Sequence, residues 1–109
     1  MSRATCLTCV FWLFATTARA VEPELTLTLE GHRFSPGELT AKAGQKLRLV
    51  IFNKDKTPEE FESYDLNREK LVAPGSQIVV YVGPLSPGRY EFFGDFNPTT
   101  ARGVLVVTP

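Results

Sequence analysis

Polar and apolar residues alternate along most of the chain beyond residue 20. Glu24–Glu30 (ELTLTLE) places Leu25, Leu27 and Leu29 on one side and polar residues on the other. That two-residue period predicts a half-buried strand. Glu38–Ala43 predicts a short strand ended by Gly44, and Lys46–Asn53 (KLRLVIFN) a stronger one with Leu47, Leu49 and Ile51 facing one way. Gln77–Val82, Arg89–Phe93 and Gly103–Val107 continue the series. Between them lie Ser35-Pro36-Gly37, Thr57-Pro58, Pro74-Gly75, Gly83-Pro84 and Pro87-Gly88, residues that supply turn geometry and interrupt ladders. Only Glu59–Leu71 carries a weak helical pattern, so Thr57–Ala73 is expected to form a loop with a helical turn or a short edge strand. Short strands at this spacing predict an all-β sandwich or barrel.

The first 20 residues follow a different pattern. Arg3 precedes an apolar run, Cys6–Ala15, which is followed by Ala18-Arg19-Ala20. A charged, then apolar, then small-x-small order predicts a cleavable secretory signal peptide over residues 1–20, with the functional domain spanning 21–109 and export to the bacterial periplasm. The run is shorter than the roughly 20 residues that span a bilayer; the other reading of it is an uncleaved anchor.

Charge and cysteine content then narrow the chemistry. Arg3 and Arg19 lie in the leader, so ten of the twelve Lys and Arg remain against twelve Asp and Glu, a formal charge of −2. Nucleic-acid binding calls for a basic face, and none is present in this balance. Cys6, Cys9 and Met1 all fall in the leader. Cleavage would leave no thiolate, no thioether and a single imidazole, His32. A type 1 copper centre needs two imidazoles and a thiolate, so an electron-transfer blue-copper site is excluded on ligands. An enzyme is not expected either, because His32 has no Ser, Thr or Asp beside it in sequence and no phosphate-binding glycine loop is present.

Several short segments resemble a known family. Phe34-x-Pro36 with Leu39 and Ala43-Gly44 is similar to the opening of cupredoxin-like domains. Glu60-Phe61-Glu62-Ser63, Asp65-Leu66, Arg68-Glu69-Lys70, Gly83-Pro84-Leu85-x-Pro87-Gly88-x-Tyr90 and Phe93-Gly94-Asp95-Phe96 resemble the narrower EfeO type, found in periplasmic components of bacterial iron uptake. The match runs from about Thr26 to Val107. The resemblance implies a cupredoxin-like Greek-key β-sandwich of seven to eight strands. It also implies an accessory role in metal uptake, with iron as cargo and a membrane iron permease or another periplasmic protein as partner.

Oxygen donors remain for a metal. Glu60, Glu62, Asp65, Glu69 and Asp95 are the candidates, and Glu60 and Glu62 project to one side if the segment is extended. Glu69 reaches the same place if the chain turns back at Asp65–Asn67, which suggests a site of Glu62, Glu69 and Asp95 with Glu60 beside it. Such a donor set suits a hard cation such as ferric iron, manganese or calcium. The alternative is a solvated surface on which Arg68 and Lys70 pair with Glu69, an arrangement worth about 0–1 kcal/mol. Many relatives in the resembling group carry a histidine where Asn97 stands, which implies weaker, different or absent metal binding here. Tyr90, Phe92, Phe93 and Phe96 are expected to pack as one core cluster, with Phe93 or Phe96 the alternative docking contact. A metal-free module docking on a transport partner is therefore the rival reading.

Overall fold

The computed structural model describes residues 8–13 and 22–109. Residues 8–13 have no regular secondary structure; the rest of the expected signal peptide and its cleavage point lie outside the described residues. Among the described residues no helix is long and apolar enough to cross a membrane.

Nine strands form two sheets: β1 (Glu24–Glu30), β2 (Arg33–Ser35), β3 (Glu38–Lys42), β4 (Leu47–Asn53), β5 (Glu59–Ser63), β6 (Arg68–Val72), β7 (Gln77–Val82), β8 (Gly88–Gly94) and β9 (Arg102–Thr108). One sheet has the order β2-β1-β4-β7 and the other β3-β9-β8-β5-β6. β1 runs parallel to β4, and β3 parallel to β9; the other pairs are antiparallel. Six strands coincide with the predicted ones to within a residue at either end. The count exceeds seven to eight because β2 pairs with β1, and because Thr57–Ala73, expected as a loop with a helical turn or a short edge strand, forms the β5–β6 hairpin, in which β6 is a short edge strand.

The hairpin has a legible local cause. Glu59, Phe61 and Ser63 are buried while Glu60 and Glu62 are only partly so, which is strand alternation hidden among charges. Asn67 closes the turn in the left-handed region (φ 52°), a conformation asparagine tolerates better than most residues. Ser63 Oγ donates to Glu91 O (2.6 Å) and accepts from Leu66 N (3.1 Å), tying the turn to β8.

The leucines of β1 and the Leu47, Leu49 and Ile51 row of β4 face the opposing sheet, as their period requires. They meet Phe61, Phe92, Leu105 and Val107. The aromatics at the centre are Phe34, Phe61 and Phe92, with ring centroids 5.3 to 6.3 Å apart. The expected single cluster is split by alternation on β8: Phe92 is buried, Tyr90 packs partly against the core, Phe93 faces outward, and Phe96 lies 48% exposed in the β8–β9 loop.

Candidate metal site

The outer face of the five-stranded sheet collects the acidic residues. Glu60 and Glu62 point outward from β5 by alternation. Glu69 stands directly opposite Glu62 across the β5–β6 ladder, so the chain does turn back where the sequence suggests. Asp95 follows β8, and its backbone N–H donates to Glu60 O (2.9 Å), which holds the start of the β8–β9 loop beside β5. Carboxylate oxygens of Glu60, Glu62 and Asp95 lie within 4.8 Å of one another. Glu69 sits next to this trio, placed to share a proton with Glu60. The three carboxylates that meet within this distance are Glu60, Glu62 and Asp95, with Glu69 set against Glu60 where the sequence suggested Glu69 as one of the three.

Oxygens bound to one cation at about 2.3–2.6 Å can be no more than roughly 5 Å apart, so the trio needs only slight closure to share an ion. Without one, the site is electrostatically strained. The carboxyl of Glu60 is pushed up to about 7 by its hydrogen bond to Glu69, by burial, and by the charges of Glu69, Asp95 and Glu62. Glu62 is raised as well, first by burial and then by the charges of Asp95 and Glu69 and a hydrogen bond to Asp95.

The neighbouring cations do not relieve this. Alternation turns Arg68 and Lys70 away from Glu69; Arg68 Nε donates to Tyr81 O (2.9 Å) and Lys70 Nζ to Val79 O (3.3 Å), capping carbonyls on the edge of β7. The pairing with Glu69 given as the alternative does not form. Among the described residues the ion pairs are His32–Asp55, Lys46–Glu22, Arg48–Glu24 and Arg89–Glu38, none of which touches the acidic group. Next to it, Phe93 lies opposite both Glu62 and Arg102, and Tyr64 leans on Phe93 with centroids 5.3 Å apart. A shallow depression of about 330 Å³ opens there, lined by Tyr64, Asp65, Glu91, Phe93 and Arg102. Asp65 itself is engaged by the backbone N–H of Glu91 (2.8 Å).

Four residues, Glu59, Asn97, His32 and Asp55, acquire roles the sequence reading did not assign. Glu59 is 1% exposed and faces inward from β5. Its Oε1 accepts from the backbone N–H groups of Glu60 (3.0 Å) and Phe96 (2.8 Å), and its Oε2 from Asn97 Nδ2 (2.8 Å). The signal was a carboxylate at the same phase as Phe61, the inward one. Asn97 therefore commits its amide to Glu59. His32 sits in the β1–β2 turn with φ 57°, its Nδ1 3.6 Å from Asp55 Oδ2. Asp55 also accepts from the N–H groups of Gly31 (2.7 Å) and His32 (2.9 Å), and these bonds, His32 foremost, hold its carboxyl below the usual range against the opposing effect of burial. His32 is thus engaged in turn closure.

The sequence profile of the cupredoxin-like domain matches residues 3–107. The chain belongs to the cupredoxin-like domain family. It is 46% identical over 84 residues to the uncharacterized protein RP394 of Rickettsia prowazekii, an alignment covering 77% of this chain and 67% of that one. Its fold is similar to that of auracyanin A, a blue copper protein of Chloroflexus aurantiacus (TM-score 0.69, 15% identity, 81% of this chain and 100% of that one). It is also similar to the metal-binding domain of the Cu(I)-exporting P-type ATPase CopA of Streptococcus pneumoniae D39 (TM-score 0.68, 14% identity, 79% and 85%). At such identities the likeness is one of fold, and the chemistry rests on this chain's own residues. Residues 22–109 contain one histidine and neither cysteine nor methionine, so they do not fit a type 1 copper ligand set.

Proposed function

We propose that this cupredoxin-like protein is exported to the periplasm and binds a hard cation through Glu60, Glu62 and Asp95, with Glu69 completing the acidic group. In this reading it is a non-enzymatic accessory of metal uptake that hands iron to a membrane permease or another periplasmic protein, as the resemblance to EfeO-type domains implies. The supporting observation is the convergence of three carboxylates within 4.8 Å with no Lys or Arg paired to them among the described residues. Oxygen donors without imidazole or thiolate favour ferric iron, manganese or calcium over copper or zinc.

Titration of the metal-stripped protein with Fe³⁺, Mn²⁺, Ca²⁺ and Cu²⁺ tests this, with a Glu60→Ala/Glu62→Ala variant alongside. Stoichiometric binding by the wild type that the variant loses is the expected result. Absence of binding to all four ions would overturn the site. It would favour the second reading, a metal-free docking module, which draws support from the exposed Tyr64, Leu71 and Phe96 (77%, 55% and 48%). Cell fractionation checks the location, and a cytoplasmic pool as the final form would refute export.

A further inference from the structure

Glu59 is a buried carboxylate with no cationic side chain against it among the described residues, satisfied by three N–H donors. A charge placed inside a core is costly unless it is fully hydrogen-bonded, so these bonds are the condition for its presence. Two of the three come from one loop, through the backbone of Phe96 and the amide of Asn97. The rest of the loop is held by its own turns, Asn97 N to Gly94 O, Thr100 N to Asn97 O and Ala101 N to Asn97 O, by Arg102 Nε to Pro98 O, and at its start by Asp95 N to Glu60 O, which fixes the Asp95 backbone but not the path of the loop beyond it. Asp95 lies between the bonded Phe96 and Gly94, which pairs with Phe61 of β5. Glu59 itself cannot join the acidic trio, because strand alternation puts it on the opposite face of β5 from Glu60 and Glu62.

Gly94 shows how closely the carboxylate is fitted. A Cβ at Gly94 would lie 2.5 Å from Glu59 Cδ and 2.8 Å from Ala101 Cβ. Glycine there leaves the space that the Glu59 side chain fills. The end of β8, the start of β5 and the loop are thus built around one carboxylate.

We infer that Glu59 is a positioning residue for the cation site: by fastening Phe96 and Asn97 from inside the sandwich, it holds Asp95 over Glu60 and Glu62 on the outside. The inference rests on the cation-site reading and adds the residue that organises it. Groups behind metal ligands commonly alter affinity by 10- to 100-fold when removed, because they fix ligand orientation.

A double-mutant cycle on cation affinity tests it in the full chain, using Mn²⁺ as probe. Glu59→Ala should weaken binding on the order of 10-fold, and Glu59→Gln should bind nearly as the wild type. The Gln carbonyl can still accept from Glu60 and Phe96 while its NH₂ donates to a turned Asn97 amide. The deciding arm is Asp95→Asn: if Glu59 acts through Asp95, adding Glu59→Ala to that variant costs no further affinity. Hydrogen exchange at the Phe96–Thr100 amides should rise in Glu59→Ala while the β1–β4 ladder keeps its protection. Additive losses, or undiminished affinity in Glu59→Ala, would overturn the inference while leaving the cation site standing. A wild type that binds no cation would overturn both.

Discussion

Glu60 carries a marked electrostatic strain, and its sign has a measurable consequence. Its carboxyl in the folded state is raised to about 7 from 4.5. The folded chain therefore holds this proton more tightly than the unfolded one, so the stabilisation is present at acid pH and is lost as pH rises through 7. Glu62 is shifted the same way. In metal-free protein the contribution of this group should fall between about pH 4.5 and about pH 7, and thermal melts of wild type against Glu60→Gln should diverge over that window. A flat difference would show that the two carboxylates do not interact as their placement indicates. Asp55, lowered by the turn amides it binds, has the opposite sign: its contribution is present near neutrality and is lost only as pH falls into the carboxylate range. Gly94 belongs to the same scale. Gly94→Ala forces a methyl against Glu59 and Ala101, and overpacking of that kind costs about 1–3 kcal/mol, read as a lowered urea midpoint.

Among the elements, β4 and the β5–β6 hairpin are joined by one buried side chain. Asn53 is fully buried at the end of β4, on the same phase as Leu47, Leu49 and Ile51. Its Nδ2 donates to Thr57 O (2.9 Å) and Val72 O (3.2 Å), and its Oδ1 accepts from Asp55 N (2.9 Å). It thereby links the end of β4, the entry to β5 and the end of β6, which belong to different sheets. Asn53→Ala leaves those backbone groups without their partner, at about 1–3 kcal/mol for a buried unsatisfied group. Its urea midpoint should fall accordingly, and an unchanged midpoint would mean that water replaces the amide at no cost. The hairpin itself was the poorest reading from sequence. Its period of two was masked because inward Glu59 and outward Glu60 are chemically alike, and a charged residue ordinarily marks the solvent side. β1, β4 and β7 were legible because their apolar and polar faces differ in composition.

For the whole molecule, the proposed cation site, made of mutually repelling acids, would set binding against stability. Removing one carboxylate relieves repulsion in the metal-free protein, so Glu62→Gln should melt at a higher temperature than the metal-free wild type. The order should reverse with cation: a ligand at 100 times its Kd adds about 2.7 kcal/mol to the state that binds it, and only the intact site gains this. Melts with and without Mn²⁺ check both halves. If the variant is stabilised by Mn²⁺ as much as the wild type, the ion binds elsewhere.

The sequence by itself determined the class of the fold and the inventory of donor groups. Alternation places Leu27, Leu29, Leu49 and Ile51 inside whatever their partners are, since period two is a property of an extended backbone. Donor inventory is equally local: residues 22–109 hold one imidazole and no sulfur, which sets aside type 1 copper before any coordinate is known. Tertiary structure alone decided which carboxylates meet. Asp95 is 33 residues from Glu62, and what brings it to Glu60 is the non-local pairing of β5 with β8, a product of the whole sandwich. It also decided that Arg68 and Lys70 face β7 instead of Glu69, and that Glu59, one residue from Glu60 in the chain, lies inside while its neighbour lies out. Strand phase relative to a core is fixed only once the core exists, and for a run of like-charged residues nothing local distinguishes the two phases.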